Sequence, residues 1–214
     1  MNDSHSPRTP ASSPRPLSLA RIVDWSQQLL VEVLSAGDTA IDLTAGLGRD
    51  TLALAGAVGR VGRVVAFDLQ EPALQQTARL CAGYGFAVEH WSSDESVPQR
   101  PAVYLVHGCH SRLSRTVSCP VTAIIANLGY LPGSDRQLVT RSETTVAALR
   151  QGLDLLATGG RLAVTVYPGH AGGEAEAAAV ADLLYALPSK GWQVLQLRVA
   201  NRQQAPCLLV AERR

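Results

Sequence analysis

From Thr39 onward, short apolar runs alternate with stretches of helical periodicity, and this alternation constrains the fold more than any other feature of the chain. Such alternation is typical of βα units that close a parallel sheet. The sequence predicts strands at 39–43, 61–67, 103–106, 123–126 and 161–166, and helices at 49–57, 71–83, 144–156 and 174–187. We therefore expect an α/β protein with a doubly wound, Rossmann-like sheet.

The two ends of the chain complete this prediction. Residues 1–16 are rich in Ser and Pro and are expected to form a disordered tail, while 17–214 are expected to form one domain. Apolar residues at helical spacing between Leu19 and Leu34 predict an amphipathic first helix. Near the C-terminus, 193–199 and 207–211 are predicted to pair as an antiparallel hairpin. Seven strands with a terminal hairpin is the arrangement of class I methyltransferases, an analogy that does not by itself establish chemistry.

Two segments compete for the third strand. Residues 86–89 are one candidate, but 103–106 is the more continuous apolar run and ends at His107-Gly108. We therefore place the strand at 103–106, and we expect 92–101 to be a polar surface insertion.

Composition disfavours several functional classes without excluding nucleic-acid binding. With 19 basic and 18 acidic residues, the formal charge of +1 argues against a strongly basic nucleic-acid binder, although clustered charge is compatible with it. The four cysteines are scattered without zinc or disulfide spacing, so we expect reduced thiols and no metal. No run of 18 apolar residues and no signal-peptide pattern occurs, so the expected compartment is the cytoplasm, without membrane insertion.

A glycine loop at residues 42–51 follows the first predicted strand, where ligands bind in doubly wound sheets. Gly46 and Gly48 allow a tight turn and a close approach of the backbone to a ligand. Thr51 stands where a dinucleotide-binding loop would have its third glycine. This difference favours S-adenosylmethionine, which has no phosphate, over a dinucleotide. The alternative is that the glycines only make a strand-to-helix turn.

Three aspartates support the same cofactor. Asp42 and Asp50 could supply carboxylates to its ammonium and sulfonium groups. Asp68 ends the second predicted strand about twenty residues past the glycines, where a carboxylate can accept hydrogen bonds from both ribose hydroxyls. Asp50 could instead serve only as a helix cap.

The segment 127–133, Asn-Leu-Gly-Tyr-Leu-Pro-Gly, follows the fourth predicted strand and should lie across from the transferable methyl group. Asn127 offers an amide oxygen to an amine nucleophile, and Tyr130 can stack on a base. Such contacts hold the nitrogen lone pair in line, and positioning is the main demand of a direct displacement. The alternative is a Gly/Pro turn with a buried tyrosine.

Histidines and arginines supply further candidates. His107 and His110 follow the third strand and could contact adenosine, and His110 could also accept a proton. His170 closes the Tyr167-Pro168-Gly169-His170 segment at the same edge, and without an acidic cluster these histidines do not predict a metal site. Arginines in or near predicted loops could contact phosphate, namely Arg112, Arg115, Arg136, Arg141, Arg198 and Arg202.

Five strings taken together carry a family resemblance: Asp42-x-Thr44-Ala45-Gly46-x-Gly48-x-Asp50-Thr51, Ala66-Phe67-Asp68-x-Gln70, Asn127 to Gly133 with Asp135, Thr140-x-x-Glu143-Thr144-Thr145, and Tyr167 to His170 with Gly172-Gly173-Glu174. From Leu17 to the C-terminus the sequence resembles the small bacterial rRNA methylase family. Members act on tRNA as MnmM-type enzymes that methylate 5-aminomethyl-2-thiouridine at the wobble position. The sequence departs from the family pattern at Leu47 and Gly108.

The resemblance implies the following roles. Residues expected at the cofactor are Asp42, Thr44, Gly46, Gly48, Asp50, Thr51, Asp68, Gln70, Gly108, Cys109, His110 and Asn127. Residues expected at the modified base are Leu128, Gly129, Tyr130, Pro132, Arg141, Tyr167 and His170. Asn127, Tyr130 and His110 are the catalytic candidates, the cofactor is S-adenosylmethionine, and the expected partner is the tRNA anticodon stem-loop.

Rival interpretations stay open at this point. A NAD-dependent oxidoreductase shares the doubly wound class, and a non-catalytic RNA-binding module could use the same fold. The methyl acceptor could also be rRNA, a protein or a small amine, because the choice of tRNA depends on the resemblance alone. Apolar helix faces that cover a sheet and those that form a homodimer look alike in sequence.

Overall fold

The computed structural model describes residues 18–19, 21–129, 139–169, 172–202 and 204–214. Runs of Val, Ile and Ala that are apolar on both faces form the central strands, as expected for a parallel sheet covered on both sides. The strands are β1 (Thr39–Asp42), β2 (Arg63–Asp68), β3 (Val88–Ser92), β4 (Ala102–His107), β5 (Val121–Asn127), β6 (Leu156–Val166), β7 (Trp192–Arg198) and β8 (Cys207–Arg213). The helices are α1 (Ile22–Val31), α2 (Arg49–Val58), α3 (Glu71–Gly83), the short α4 (Leu113–Thr116), α5 (Ser142–Leu155) and α6 (Gly173–Tyr185).

In the described residues these strands form one sheet of eight, in the order β3-β4-β2-β1-β5-β6-β8-β7. Every pair from β3 to β6 is parallel, while β8 pairs antiparallel with both β6 and β7. The predicted doubly wound, mostly parallel sheet with a C-terminal hairpin is confirmed. Strand order reverses at β1, which lies between β2 and β5, so the carboxyl end of β1 is the expected ligand position.

The predicted count of seven strands was wrong by one. The rejected candidate at 86–89 overlaps a real strand, β3, and the insertion that we placed at 92–101 begins only after Ser92. β3 pairs only with β4 and lies at the sheet edge, where one half-buried face is enough. Its mixed sequence therefore lacks the apolar run by which central strands are recognised. The ring of Trp91 packs edge-on against Tyr104 of β4, with centroids 5.8 Å apart.

Helices cover both faces of the sheet, and the sheet divides the core into two clusters. One cluster packs α4, α5 and α6 on the face that carries Phe67, Tyr104 and Ile124. The other packs α1, α2 and α3 on the face that carries Leu105 and Ile125. Neighbouring residues of β5 thus point to opposite clusters, as the two-residue period of a strand requires. The helices leave the carboxyl ends of the parallel strands open to form a site.

Other boundaries moved by a few residues. β6 begins at Leu156, which we had assigned to the preceding helix, and it includes residues 157–160, which lie before the predicted strand, with a register shift against β5. The first helix is shorter than predicted, since it spans only Ile22–Val31 and Leu19 is exposed. Across the part of the chain that the structure describes, no helix is both long and apolar enough to cross a bilayer.

Candidate active site

A cavity of about 790 Å³ opens at the carboxyl ends of the parallel strands, at the point where strand order reverses. Most of the predicted site residues line it, from both the cofactor and the substrate sets: Thr44, Gly46, Asp50, Asp68, Gln70, Gly108, Cys109, His110, Asn127, Leu128, Gly129, Arg141 and Tyr167. Folding thus brings together residues that are up to 123 positions apart in the sequence, from Thr44 to Tyr167. A cavity of this size can hold a nucleoside cofactor and part of a substrate.

Three predicted cofactor residues lie behind the lining. Asp42 is fully buried and accepts hydrogen bonds from the backbone N–H of Thr44, at 3.0 Å, and from the Thr51 hydroxyl, at 2.6 Å. Gly48 has a φ of 80°, and a Cβ there would lie 2.8 Å from Oγ1 of Thr77. These residues shape the glycine loop, so they would affect a bound ligand only indirectly, by setting the conformation of that loop.

Tyr130, Pro132 and His170, and with them Arg136, lie outside the described residues. His107 is exposed and is not a lining residue, although its ring Nε2 lies 3.1 Å from the carbonyl oxygen of the lining residue Leu69. No group of three or more His, Cys, Asp or Glu side chains with the spacing of a metal site occurs among the residues that the structure describes.

The floor of the cavity is acidic. Burial, and after it the neighbouring carboxylate of Asp50, raise the pKa of Asp42 to about 7, against the opposing hydrogen bonds from Thr51 and Thr44. Burial also raises the pKa of Asp50, while hydrogen bonds from Gln27 and Asn127 oppose this shift. Ionised carboxylates held close together in an apolar setting repel one another, so a cationic ligand would be stabilised here.

Asp68 links the glycine loop to the end of β2. Its Oδ2 accepts the backbone N–H of Gly46 and its Oδ1 accepts that of Gln70, each at 2.9 Å. Burial raises the pKa of Asp68, which is only partly exposed and lines the cavity. Each carboxylate oxygen still has a free lone pair, so Asp68 can also accept hydrogen bonds from ribose hydroxyls.

Asn127 is held on three sides. Its backbone N–H donates to the Thr44 hydroxyl at 2.7 Å, and its side-chain Nδ2 donates to Oδ2 of Asp50 at 2.6 Å. An ionised carboxylate can only accept, so Asp50 fixes the amide nitrogen towards itself and turns Oδ1 the other way. The Tyr167 hydroxyl donates to this oxygen at 3.3 Å. Oδ1 keeps a second lone pair for a donor in the cavity.

Gln27 of α1 is a site residue that sequence reasoning missed. Its side-chain Nε2 donates to Oδ1 of Asp50 at 2.5 Å, so Asp50 is held between α1 and β5. The helix was interpreted only as an amphipathic cover, because a polar residue on a partly buried face carries no motif. Gln27 lies behind the lining, whereas lining residues that we did not predict include Val23, Arg49, Val139, Thr140, Gln204 and Pro206.

His110 is a buried lining residue with one free ring nitrogen. Its Nδ1 lies 3.0 Å from the carbonyl oxygen of Leu43, which can only accept, so the proton of the neutral ring sits on Nδ1. Its Nε2 is buried without a protein partner among the described residues. Burial lowers the pKa of His110, which keeps the ring neutral and leaves Nε2 as an acceptor for a ligand donor.

These groups together fit S-adenosylmethionine. Asp68 suits a ribose, the acidic floor suits a cationic tail, and the free His110 nitrogen suits an amino group.

Comparison with known proteins gives the family. The model of the family described as "Putative rRNA methylase" matches residues 64–213. The chain belongs to this family. The resemblance drawn from the five sequence strings is thereby confirmed.

Three known proteins show how similar this rRNA methylase family protein is to its relatives. A curated Arabidopsis thaliana protein named tRNA (mnm(5)s(2)U34)-methyltransferase, chloroplastic, is 34% identical over 196 residues, which cover 87% of this chain and 65% of the relative. The chain thus spans less than two thirds of that relative.

Two solved structures have the same fold. A "putative rRNA-methylase" from Clostridium thermocellum has a TM-score of 0.81 at 32% identity and covers 92% of this chain and 100% of its own. A "putative methyltransferase" from Streptococcus mutans, solved with S-adenosylhomocysteine, has a TM-score of 0.75 at 30% identity, with coverage of 91% and 98%. The fold is that of the S-adenosylmethionine-dependent methyltransferases.

Proposed function

We propose that this protein methylates tRNA at wobble position 34, with S-adenosylmethionine as the methyl donor and the primary amine of 5-aminomethyl-2-thiouridine as the acceptor. The observation that carries the proposal is the fixed orientation of Asn127, whose side-chain oxygen stays available to an amine. Family membership and the name of the Arabidopsis relative support the choice of tRNA.

Asp68, Gln70, the loop at Gly46 and the acidic pair Asp42 and Asp50 would hold the cofactor, directly or through the loop. When bound, S-adenosylmethionine supplies an electrophilic methyl group. The free Nε2 of His110 would accept a hydrogen bond from an amino group of a bound ligand.

Asn127 would position the amine. Its Oδ1 accepts one N–H of the amine, and this contact orients the nitrogen lone pair along the line of transfer. Only the neutral amine has a lone pair, so the ammonium form must lose a proton before transfer. The nitrogen would then gain the methyl group and give up a second proton to solvent, with S-adenosylhomocysteine as the by-product. Because burial lowers the pKa of His110, the histidine is a weak base, and we assign the first proton to solvent.

The RNA would lie across Leu128, Gly129 and Tyr167, with the anticodon stem-loop at the mouth of the cavity. Arg141 precedes α5, lines the cavity and is exposed, and within the described part of the chain it forms no ion pair. Such an arginine suits a backbone phosphate. Tyr130, Pro132 and His170, which lie outside the described residues, stay part of the proposal as contacts of the base.

We also propose that the protein works in the cytoplasm, where reduced thiols are stable, since all four cysteines are free. We further propose that the protein forms a homodimer. The exposed Leu195 on the edge strand β7 supports it, and light scattering after gel filtration would test it.

Mass spectrometry of nucleosides from cells that lack the protein tests the function. We expect 5-aminomethyl-2-thiouridine to accumulate in tRNA and its methylated form to disappear, while rRNA nucleosides stay unchanged. The purified protein with S-adenosylmethionine should restore methylation of an anticodon stem-loop that carries the unmethylated base.

Unchanged wobble uridines would overturn the tRNA assignment, and a lost rRNA methyl group would favour rRNA as the substrate. Binding of NAD without a response to S-adenosylhomocysteine would favour the oxidoreductase.

A further inference from the structure

Glu176 of α6 is a buried carboxylate outside the cavity lining. Its exposed fraction is 3%, and in the described residues no basic side chain lies within ion-pair distance of it. Two threonine hydroxyls donate to it instead, Thr140 to Oε2 and Thr145 to Oε1, each at 2.7 Å. Burying a carboxylate is costly, and among the described residues only neutral groups donate to this one, so its presence calls for a reason beyond packing.

The carboxylate fixes the direction of a hydrogen-bond chain. Because Glu176 can only accept, the hydroxyl proton of Thr140 must point at it. The lone pairs of that hydroxyl are then free, and the backbone N–H of Gly129 donates to them at 2.9 Å. The backbone N–H of Thr140 in turn donates to the carbonyl oxygen of Gly129 at 3.1 Å. Gly129 and Thr140 are therefore joined twice, and the chain Gly129–Thr140–Glu176 ends on a rigid helix.

This chain reaches the group that we propose to hold the amine. Gly129 lies two residues after Asn127 and has a φ of 113°, a conformation that favours glycine. On the other side, the backbone N–H of Leu128 donates to the carbonyl oxygen of Thr165 in β6 at 3.0 Å. The segment after β5 is thus fixed to β6 at Leu128 and to α6 through Thr140.

We propose that Glu176 is a positioning residue for methyl transfer, which acts through Thr140 on Gly129 and so holds Asn127 at the place the amine requires. The inference rests on the proposed function and adds to it a residue that touches neither ligand. Misplacement of a reacting group by about 1 Å can lower a rate by about 100-fold, so a small release of this segment should be visible in kcat.

Thr145 supplies the matched control. Its hydroxyl donates to the same carboxylate at the same distance, but Thr145 lies within α5, and in the described part of the chain its hydroxyl makes no hydrogen bond to the segment after β5. Replacing either threonine with valine removes one hydroxyl from Glu176 and keeps the shape of the side chain. In both variants Glu176 loses one hydrogen bond. Only Thr140→Val also removes the hydroxyl that accepts the backbone N–H of Gly129.

The experiment compares Thr140→Val, Thr140→Ser, Thr145→Val and Glu176→Gln in the full chain. For each variant, kcat and KM are measured with the modified stem-loop, together with the Kd for S-adenosylhomocysteine and the melting temperature. We expect Thr140→Val to lower kcat about 10-fold, as one lost hydrogen bond in a positioning chain would do, and Thr140→Ser to restore it. Thr145→Val should keep kcat within about twofold while losing similar thermal stability.

Glu176→Gln separates positioning from direct contact, since Thr140 lines the cavity and Glu176 does not. It should lower kcat with an unchanged Kd for S-adenosylhomocysteine. Equal kcat in the two valine variants, or a full loss of cofactor affinity in Thr140→Val, would overturn the inference. Wild-type protein that does not methylate the stem-loop would overturn the proposed function itself, and the inference with it.

Discussion

The side of the cavity that we propose for the cofactor and the side that we propose for the substrate are built from contacts of different range. On the cofactor side, Asp42 and Asp68 each accept a backbone N–H from two residues further along, and the contacts of Asp42 with Thr51 and of Asp68 with Gly46 span nine and 22 residues. On the substrate side, the two main contacts of Asn127 span 77 and 83 residues. A site built from local contacts can be read as a motif, whereas one built from distant contacts appears only after folding.

Asp50 joins the two sides. We predicted it as a cofactor residue from its place in the glycine loop, yet one of its oxygens accepts from Gln27 and the other from Asn127. Its carboxylate can still face a cationic ligand, because it lines the cavity. If the comparison of the two sides is right, substitutions near Asp42 and Asp68 should change cofactor affinity, and substitutions near Asn127 should change turnover.

The largest effect is expected for Asn127→Ala. Loss of the oriented carbonyl oxygen should lower kcat by about 100-fold, because the amine is no longer held in line. The affinity for S-adenosylhomocysteine should stay within a few-fold of wild type. Single-turnover methylation of the stem-loop and calorimetric titration measure the two quantities. A near-normal rate with intact cofactor binding would remove the proposed role of Asn127.

Asp68→Ala tests the cofactor side. We expect the Kd for S-adenosylhomocysteine to rise about 10- to 100-fold, as for loss of one or two hydrogen bonds to a charged group. The turnover at saturating cofactor should change much less. Asp154→Ala removes an exposed aspartate of α5 and is the control, for which both quantities should match wild type. If Asp68→Ala lowers turnover but leaves cofactor affinity normal, Asp68 would belong to the substrate side and not to the cofactor side.

Gln27→Ala tests whether α1 contributes to turnover. Without the Gln27 hydrogen bond, Asp50 is less firmly held and Asn127 less firmly oriented, so kcat should fall about 10-fold. Gln28→Ala changes the adjacent, exposed residue of the same helix and should leave kcat unaltered. Steady-state kinetics with the stem-loop are sufficient. Equal rates for the two variants would leave Gln27 with a packing role only.

Arg141→Ala should act on RNA binding. We expect KM for the stem-loop to rise about three- to fivefold, in line with the loss of one exposed charge pair. The dependence of log KM on log salt should weaken by about one unit of slope. Arg150→Ala removes an equal charge from the exposed face of α5 and serves as the control. An unchanged salt slope for Arg141→Ala would mean that this arginine does not contact a phosphate.

The smallest effect concerns the dependence of stability on pH. Burial raises the pKa of Asp42 to about 7 in the folded state, against about 3.9 in an unfolded chain. The contribution of a raised pKa is fully present below about pH 4 and is lost as pH rises through about 7. Asp42→Asn, which stays neutral, should therefore gain in melting temperature relative to wild type by several degrees between pH 5 and pH 8.

Thermal melts of the apo protein between pH 5 and pH 8 measure this difference. Asp182→Asn, at an exposed position of α6, should show no such trend. A constant difference between Asp42→Asn and wild type would mean that Asp42 is ionised throughout.

The sequence predicted the elements whose signals are local. The helix at 71–83 matches α3 to the residue, and the loop that contains Gly46 and Gly48 lies at the carboxyl end of β1 as expected. The prediction failed at the sheet edge, where β3 carries no apolar run, and at the start of β6. Both failures have one cause, since an edge strand and a bulged strand are stabilised by their neighbours more than by their own sequence.

The sequence by itself determined the α/β class and the place of the glycine loop, because both follow from the spacing of residues along the chain, and its motifs carried the resemblance to the family. Only the tertiary structure decided which way the Asn127 amide faces, that Gln27 holds Asp50, and that Glu176 holds the segment after β5. The direction of a hydrogen bond depends on which partner can only accept. Those partners lie on other helices and strands, so they become neighbours only when the sheet closes.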